Sequence, residues 1–456
     1  MSKKSFIRAG FAAAGMATVL AMVPAGANAA FDANHDAQCE NAASISGIGA
    51  SFQLNAQVAW GAATGPFDTT NPAPASGFGY APAAAGGCSA FTVGGQRVTY
   101  QPAGSGDGRN AFGATAGVRN TRYAFGGADE PHNPTQLTAA NNGPDGVAGG
   151  TDDAVLHTIP VAQSAVAVNI QLPTGCAVAE SSTARRISKT ALAGAFAGSA
   201  SFDTWGEILP SITGTGCAAK QFKRVVRLDS SGTTFAFKRY LSAVTPAPYA
   251  GLGNTAWPAD TGATATVRPT SNGAGAQLAA LKQQTVNGGI GYADLATSRT
   301  EGFDWSGVSD STVWLNVQRL VGTSYASPTA TDGVGANCTS VEYRNGGSTT
   351  LPTTTASWIN VDAVQTEVNY PLCALTYAMA WQQPSKANVG VPAGQPVITQ
   401  DQARAVKDRL GYILNTTAPS GTLKGGGQTE LVAAGYQQLP SLVRTAALTG
   451  VDALNY

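Results

Sequence analysis

An α/β protein in two lobes is the architecture this sequence predicts, and two observations predict it. Strand-like stretches run repeatedly into glycine turns and then into segments with apolar residues at helical spacing, the pattern of strands feeding helices through tight loops. At 456 residues the chain exceeds what one ordinary core organises, and with 43% hydrophobic residues it has material for two.

The chain opens on Lys3, Lys4 and Arg8, an apolar stretch centred on residues 11–23, and the small residues Ala27-Asn28-Ala29. This pattern predicts a signal peptide over residues 1–29. The stretch is short and rich in Ala and Gly, and no Cys follows it immediately, so a soluble periplasmic or secreted product without a lipid anchor is expected. Gly47-Ile48-Gly49-Ala50-Ser51-Phe52 precedes Leu54, Val58 and Trp60, a first glycine turn feeding a helix. The strand-like Gln96 to Tyr100 leads into Gly104-Ser105-Gly106 and a second. Val155 to Asn169 reads as a buried strand followed by a crossover into a second lobe. Ile187 to Leu209 reads as helical, with Leu192, Phe196, Phe202 and Trp205 in the core. Phe222 to Val226 is a strand, and Ser231-Gly232-Thr233 opens a helix over Phe235 to Leu241. Gln277 to Val286 is a helix and Gly288 to Leu295 a strand. Thr399-Gln400-Asp401-Gln402 is a capping box before a helix whose Val406, Leu410, Ile413 and Leu414 form one apolar face.

Most of the chemistry lies in Val226 to Thr234, where a guanidinium, a carboxylate and a hydroxyl-rich turn fall within nine residues. Free N–H groups and the positive end of a helix dipole gather where such a turn opens a helix, and both favour an anion. Arg227 adds planar paired donors and a permanent charge, and Asp229 can accept from it and fix its orientation. An Arg-Asp pair beside an ordinary capped helix explains this one segment equally well. The Ser51 and Ser105 turns repeat the same grammar and shift the balance toward a shared tetrahedral oxyanion.

At this point the chain resembles a phosphate-binding protein of the PstS type, the extracytoplasmic receptor of an ABC phosphate importer. The matching motifs run in family order: Gly47 to Phe52, Tyr100 to Gly106, Phe125 to Pro131, Ile159-Pro160-Val161 with Ala165 to Asn169, Arg227 to Thr233, Gly288 to Tyr292, and Tyr370-Pro371-Leu372. The resemblance spans roughly residues 44–440. It implies the two-lobed type II fold of periplasmic binding proteins, with mixed sheets flanked by helices and the ligand in the interlobe cleft. Residues 30–166 and 370–456 would form lobe I and residues 167–369 lobe II, with the two crossings making a hinge. It further implies a monomer without cofactor or catalysis, which takes up inorganic phosphate and passes it to the transmembrane subunits of the permease.

Carried over position by position, the family's phosphate contacts fall on Ser51, the Phe52 backbone N–H, Ser105, Arg227, Ser231, Gly232 and Thr233, with Asp229 orienting Arg227. Asp129 takes the place of the family's discriminating carboxylate. Phosphate at neutral pH still carries a proton that Asp129 can accept, whereas fully ionised sulfate has none and meets like-charge repulsion in a dehydrated site. Ala128-Asp129-Glu130-Pro131 can also be read as a solvated turn, with Glu130 as the competing acid. Three positions depart from the family: Ser51 where Thr is frequent, Gln53 where Pro is usual, and Ser230 where Gly is common. Residues 61–95, 132–153 and 300–364 are insertions without a family counterpart.

Composition narrows the classes further. Charged residues are 12% of the chain, against about 25% in typical domains. Past the leader, 24 basic face 27 acidic side chains, so no basic field for nucleic acid exists. Cys39, Cys88, Cys176, Cys217, Cys338 and Cys373 make an even set for an oxidising compartment, and pairing of sequence neighbours, 39 with 88, 176 with 217 and 338 with 373, is expected. None has CxxC spacing, and Asn141 to Asp153 misses the EF-hand spacing, so that segment is read as a surface loop and no metal is assigned. The rivals are a receptor for sulfate or molybdate, a secreted phosphate-ester hydrolase, and a scaffold built on the insertions. The hydrolase has only His35, His132 and His157 to draw on and no Gly-x-Ser-x-Gly elbow.

Overall fold

The structure, a computed structural model, describes residues 45–61, 63–64, 98–260, 265–305, 311–330, 333–339, 341–416 and 427–455. The expected signal peptide, the Cys39–Cys88 pair and most of the insertion 61–95 lie outside the described residues.

In chain order the strands are β1 (Ile45–Gly49), β2 (Ala63–Thr64), β3 (Val98–Gln101), β4 (Phe125–Ala128), β5 (Leu156–Gln171), β6 (Arg186–Ile187) and β7 (Lys223–Val225). They continue with β8 (Ala265–Val267), β9 (Gly289–Asp294), β10 (Thr312–Gln318), β11 (Tyr325–Ala326), β12 (Tyr343–Asn345), β13 (Val361–Ala363) and β14 (Cys373–Trp381). One mixed sheet runs β2-β3-β1-β4-β14-β5-β9-β7-β8, with β10 against β5 and carrying β6 and β11, while β12 and β13 form a separate hairpin. Two parallel units, β2-β3-β1-β4 and β9-β7-β8, are joined through antiparallel pairings of β14 and β5. The expected buried strand is β5, and all its residues are buried. Residues 156–165 pair with β14 and residues 166–171 with β9, so this one strand belongs to both units. Such a strand reads as a near-continuous apolar run because both its faces are covered.

Local reading fails where the chain's neighbours decide. The helix expected over Ile187 to Leu209 is two: Lys189–Ala197 ends at Gly198 in the left-handed conformation (φ 67°), and Trp205–Ile208 restarts on a Thr204/Glu207 capping box. Leu192, Phe196 and Trp205 are core as expected, and Phe202 packs partly buried against them. The helix expected from Gln277 to Val286 runs instead over Ala274–Lys282, because Gly273 (φ 101°) starts it. Gly47 and Gly49 belong to β1 rather than to a turn; a Cβ at Gly49 would lie 1.9 Å from the Gly127 carbonyl oxygen, so glycine is required for β4 to pair so closely. Elsewhere the reading holds. Ser231 caps the helix Gly232–Val244, and Thr399 with Gln402 forms the capping box of the helix Gln400–Leu414.

Two disulfides join the pairs expected from sequence, Cys176–Cys217 and Cys338–Cys373. The second ties the 300–364 insertion to the start of β14. The 132–153 insertion folds as a capped helix, Pro134–Asn142, and a loop held by Arg119, which donates to the carbonyls of Asp152 (2.6 Å) and Ala140 (2.7 Å). Among the described residues no helix is long and apolar enough to cross a membrane.

Candidate functional site

Strands β1, β3, β4 and β7 all end at one place, and the sequence-predicted residues lie in the segments that follow. Parallel sheets characteristically present ligand sites at these carboxyl ends, where the helix N-termini offer unpaired N–H groups. Ser51 starts a short 3-10 turn after β1, Ser105 starts the helix Ser105–Ala111 after β3, and Asp129 follows β4 directly. Arg227 follows β7, and Gly232 starts its helix five residues later. The two parallel units touch across this region. The Gly106 N–H donates to the Ser230 carbonyl (2.8 Å), the Ala274 N–H to Ser51 Oγ (3.1 Å), and Thr233 Oγ1 to Asp129 Oδ2 (3.2 Å). The approach is tight enough to demand glycines: a Cβ at Gly232 would meet the Glu130 nitrogen at 2.4 Å and Ser105 Oγ at 2.6 Å.

Asp129 is the centre of the arrangement. Its Oδ1 accepts from Thr376 Oγ1 (2.8 Å), and its Oδ2 from Thr233 Oγ1 (3.2 Å) and Ser105 Oγ (3.4 Å), while Ser105 Oγ also receives the Asp129 N–H (3.0 Å). Burial pushes its carboxyl up to about 7; nearby Asp294 adds to the rise, while the Thr376 hydrogen bond, the Arg227 charge and the Thr233 hydrogen bond oppose it. Asp294 is itself raised to about 6 by burial. The competing acid has a different employment: Glu130 pairs with Arg109 at 2.6 Å and accepts from Asn254 Nδ2.

Arg227 is almost wholly buried and bidentate to Asp229, with Nε to Oδ1 at 2.8 Å and Nη2 to Oδ2 at 2.5 Å. Asp229 also accepts from the Gly273 N–H (3.1 Å), which ties the arginine to the start of the Ala274 helix. A guanidinium clamped on its Nε edge presents Nη1 in a set direction, the geometry suited to a fixed anion. Ser231 Oγ is engaged as the helix cap, accepting from the Thr234 N–H (3.2 Å), which leaves its proton free to donate outward. The Phe52 side chain is fully buried against Tyr436, whose hydroxyl donates to the Phe52 carbonyl. All the sequence-predicted ligand-binding residues thus gather on one cluster of strand ends.

Three contributors escape sequence reading. Thr376 comes from the middle of apolar β14, and nothing in its neighbours marks it; only strand pairing brings it to Asp129. Gln53, noted as a departure, donates to Thr376 Oγ1 (2.8 Å) and to the Tyr377 carbonyl (2.7 Å), which leaves the Thr376 hydroxyl proton for Asp129. The third is the start of the Ala274 helix, whose Asn272-Gly273-Ala274-Gly275 repeats the glycine-turn signal.

Several solved structures share the fold. One is described as a high affinity periplasmic phosphate-binding protein (PfluDING) bound with phosphate, at 18% identity and TM-score 0.54, covering 88% of this chain and 92% of that one. Another is a phosphate-binding protein from Stenotrophomonas maltophilia, at 17% identity and TM-score 0.51, covering 89% and 93%. A third, a human phosphate binding apolipoprotein, has 19% identity and TM-score 0.53, covering 88% and 93%. No curated protein matches the chain. The family model described as a PBP superfamily domain matches residues 69–388, well over half of the sequence, and the chain belongs to that superfamily.

Proposed function

We propose that this protein captures inorganic phosphate and delivers it to an ABC-type importer, acting outside the cytoplasm as a soluble monomer without chemistry or cofactor. Residues 30–166 with 370–456 form one lobe and residues 167–369 the other, and the ion sits where they close. The observation that carries this reading is a carboxylate, Asp129, lodged among anion donors: Ser105, Thr233 and Arg227 surround it and the Gly232 helix points its N-terminus at it. A carboxylate there is a penalty for any anion without a proton to share, and protonated phosphate is the tetrahedral oxyanion that removes the penalty. The solved structures of like fold are described as phosphate-binding proteins, which supports the same choice.

In this reading the Phe52, Gly232 and Thr233 N–H groups, the Ser51, Ser105 and Ser231 hydroxyls and Arg227 Nη1 donate to the ion, and Asp129 accepts its proton. Sites of this kind reject an analogue lacking the matching hydrogen by about 10⁴ to 10⁵. Isothermal titration should give heat with phosphate and arsenate and none with sulfate. Asp129→Asn should admit sulfate, and a variant that keeps the full preference for phosphate would remove Asp129 from the role assigned to it.

A further inference from the structure

Among the described residues no three His, Cys, Asp or Glu side chains are grouped to hold a metal ion. Calcium, however, takes about six to eight oxygens at about 2.3–2.6 Å, backbone carbonyls and water included, so two carboxylates suffice where the chain and solvent supply the rest. The loop after the Pro134–Asn142 helix offers that combination. A Cβ at Gly150 would lie 2.8 Å from Asp152 Oδ1, 3.1 Å from Asp145 Oδ2 and 3.2 Å from the Val147 carbonyl oxygen, so three oxygens of one loop surround a single point. What sets this place apart from an ordinary acidic turn is Asp152. It is 5% exposed, and its Oδ1, the very atom aimed at that point, is buried without a hydrogen-bond partner. A buried carboxylate oxygen that faces a second carboxylate and no donor is costly unless a cation joins them.

The donors nearby are spent elsewhere. The Val147 N–H goes to Asp145 Oδ1 (2.8 Å) and the Gly149 N–H to Asp153 Oδ2 (2.6 Å), while Asp153 Oδ1 is a further buried oxygen without a partner. Arg119, whose charge all three aspartates feel, gives its Nη hydrogens to the carbonyl oxygens of Asp152 (2.6 Å), Ala140 (2.7 Å) and Asn141 (3.2 Å) rather than to a carboxylate. We infer that the 132–153 insertion holds a structural calcium ion, ligated by Asp145, Asp152 and the Val147 carbonyl, with water completing the shell on the exposed side of the loop. The inference stands apart from the anion reading, and the ion takes no part in phosphate capture. The EF-hand spacing is missed because Asp152 reaches the ion from the far end of the loop, beyond the glycine that leaves room for it. Oxygens spread this widely suit calcium better than magnesium, which demands a near-ideal octahedron at about 2.0–2.1 Å.

Calcium chloride is the probe, titrated calorimetrically into the full-length protein after chelator treatment and in phosphate-free buffer. One ion should bind, with a Kd of about 10⁻⁴ to 10⁻³ M, the range of extracellular calcium modules, and magnesium chloride at the same concentrations should give far less heat. Asp152→Asn and Asp145→Asn each keep the side chain's shape and remove a charge, and each should weaken calcium binding about tenfold or more. Asp145 is exposed, so its variant carries the test if the Asp152 variant does not fold. Gly150→Ala places a methyl group among the three oxygens at a residue whose φ lies outside the left-handed region, and it should abolish binding. No calcium heat up to about 10 mM, well above the expected range, overturns the inference. So does calcium affinity that is the same in wild type and all three variants, or magnesium binding as tight as calcium binding.

Discussion

Replacing Asp129 by Asn tests the electrostatics of the site without any ligand. The carboxyl is 5% exposed, and burial raises it from 3.8 to about 7. A folded-state value above the unfolded one means that, as pH rises, the unfolded chain loses this proton first. Stability from this group is therefore complete below about pH 4, falls between pH 4 and pH 7, and is gone above. A shift from 3.8 to about 7 corresponds to about 4 kcal/mol. Asparagine has nearly the same shape, can use the same three hydroxyls, and does not titrate. Other buried groups move in the same window, His132 with a value pushed down to about 3 and Asp294 with one pushed up to about 6, but both are present in each protein and cancel in the comparison. Urea unfolding of the ligand-free proteins at pH 4 and pH 8 should then show the Asn variant gaining about 4 kcal/mol on wild type between the two. A difference that stays constant to within about 1 kcal/mol would mean that Asp129 ionises normally and that burial does not set its titration.

The remaining predictions concern closure and cross-linking. Gly232→Ala puts a methyl group 2.4 Å from the Glu130 nitrogen and 2.7 Å from the Asp129 carbonyl carbon, contacts that on the proposed reading form as the lobes close on the ion. Overpacking of this kind costs about 1–3 kcal/mol, so phosphate affinity measured by titration should fall about 10- to 100-fold. The thermal midpoint of the ligand-free protein should change little, and full affinity in this variant would show that closure does not require the contact. Removing the Cys338–Cys373 bond, which spans 35 residues of sequence, with the double Ser variant should cost about 4 kcal/mol in urea unfolding under oxidising conditions. An unchanged midpoint would show that the insertion is anchored to β14 by packing alone.

Sequence proved a good guide wherever the signal was local. Arg227 and Asp229 are two residues apart and pair as their chemistry dictates; Ser231 and Thr399 cap the helices they precede; and cysteines adjacent in sequence found each other at Cys176–Cys217 and Cys338–Cys373. The residues that the family resemblance assigned to ligand contact lie together at the strand ends because those turns are continuous strings. What escaped came from long range or from competing glycines. Gly198 broke a helix that apolar spacing alone had continued, and Gly273 began another a turn early, since a glycine's backbone freedom acts against or ahead of the periodic pattern. The 300–364 insertion had no legible role, yet it packs on both units: Ser357 donates to the His132 carbonyl (2.6 Å), and Arg239 of the Gly232 helix donates to the Ile359 carbonyl (2.8 Å).

By itself, then, the sequence determined the Ser231 and Thr399 caps and the arginine clamp, because each depends on residues within a few positions of one another, and the superfamily, because its pattern runs along most of the chain. Only the tertiary structure decided that Asp129 is buried, that Thr376, 247 residues away, supports it, and that a cavity walled by β14, the Gly232 helix and the insertion opens beside it. Whether a carboxyl holds its proton is set by the water removed and the charges brought near, and both are properties of packing that no local string encodes.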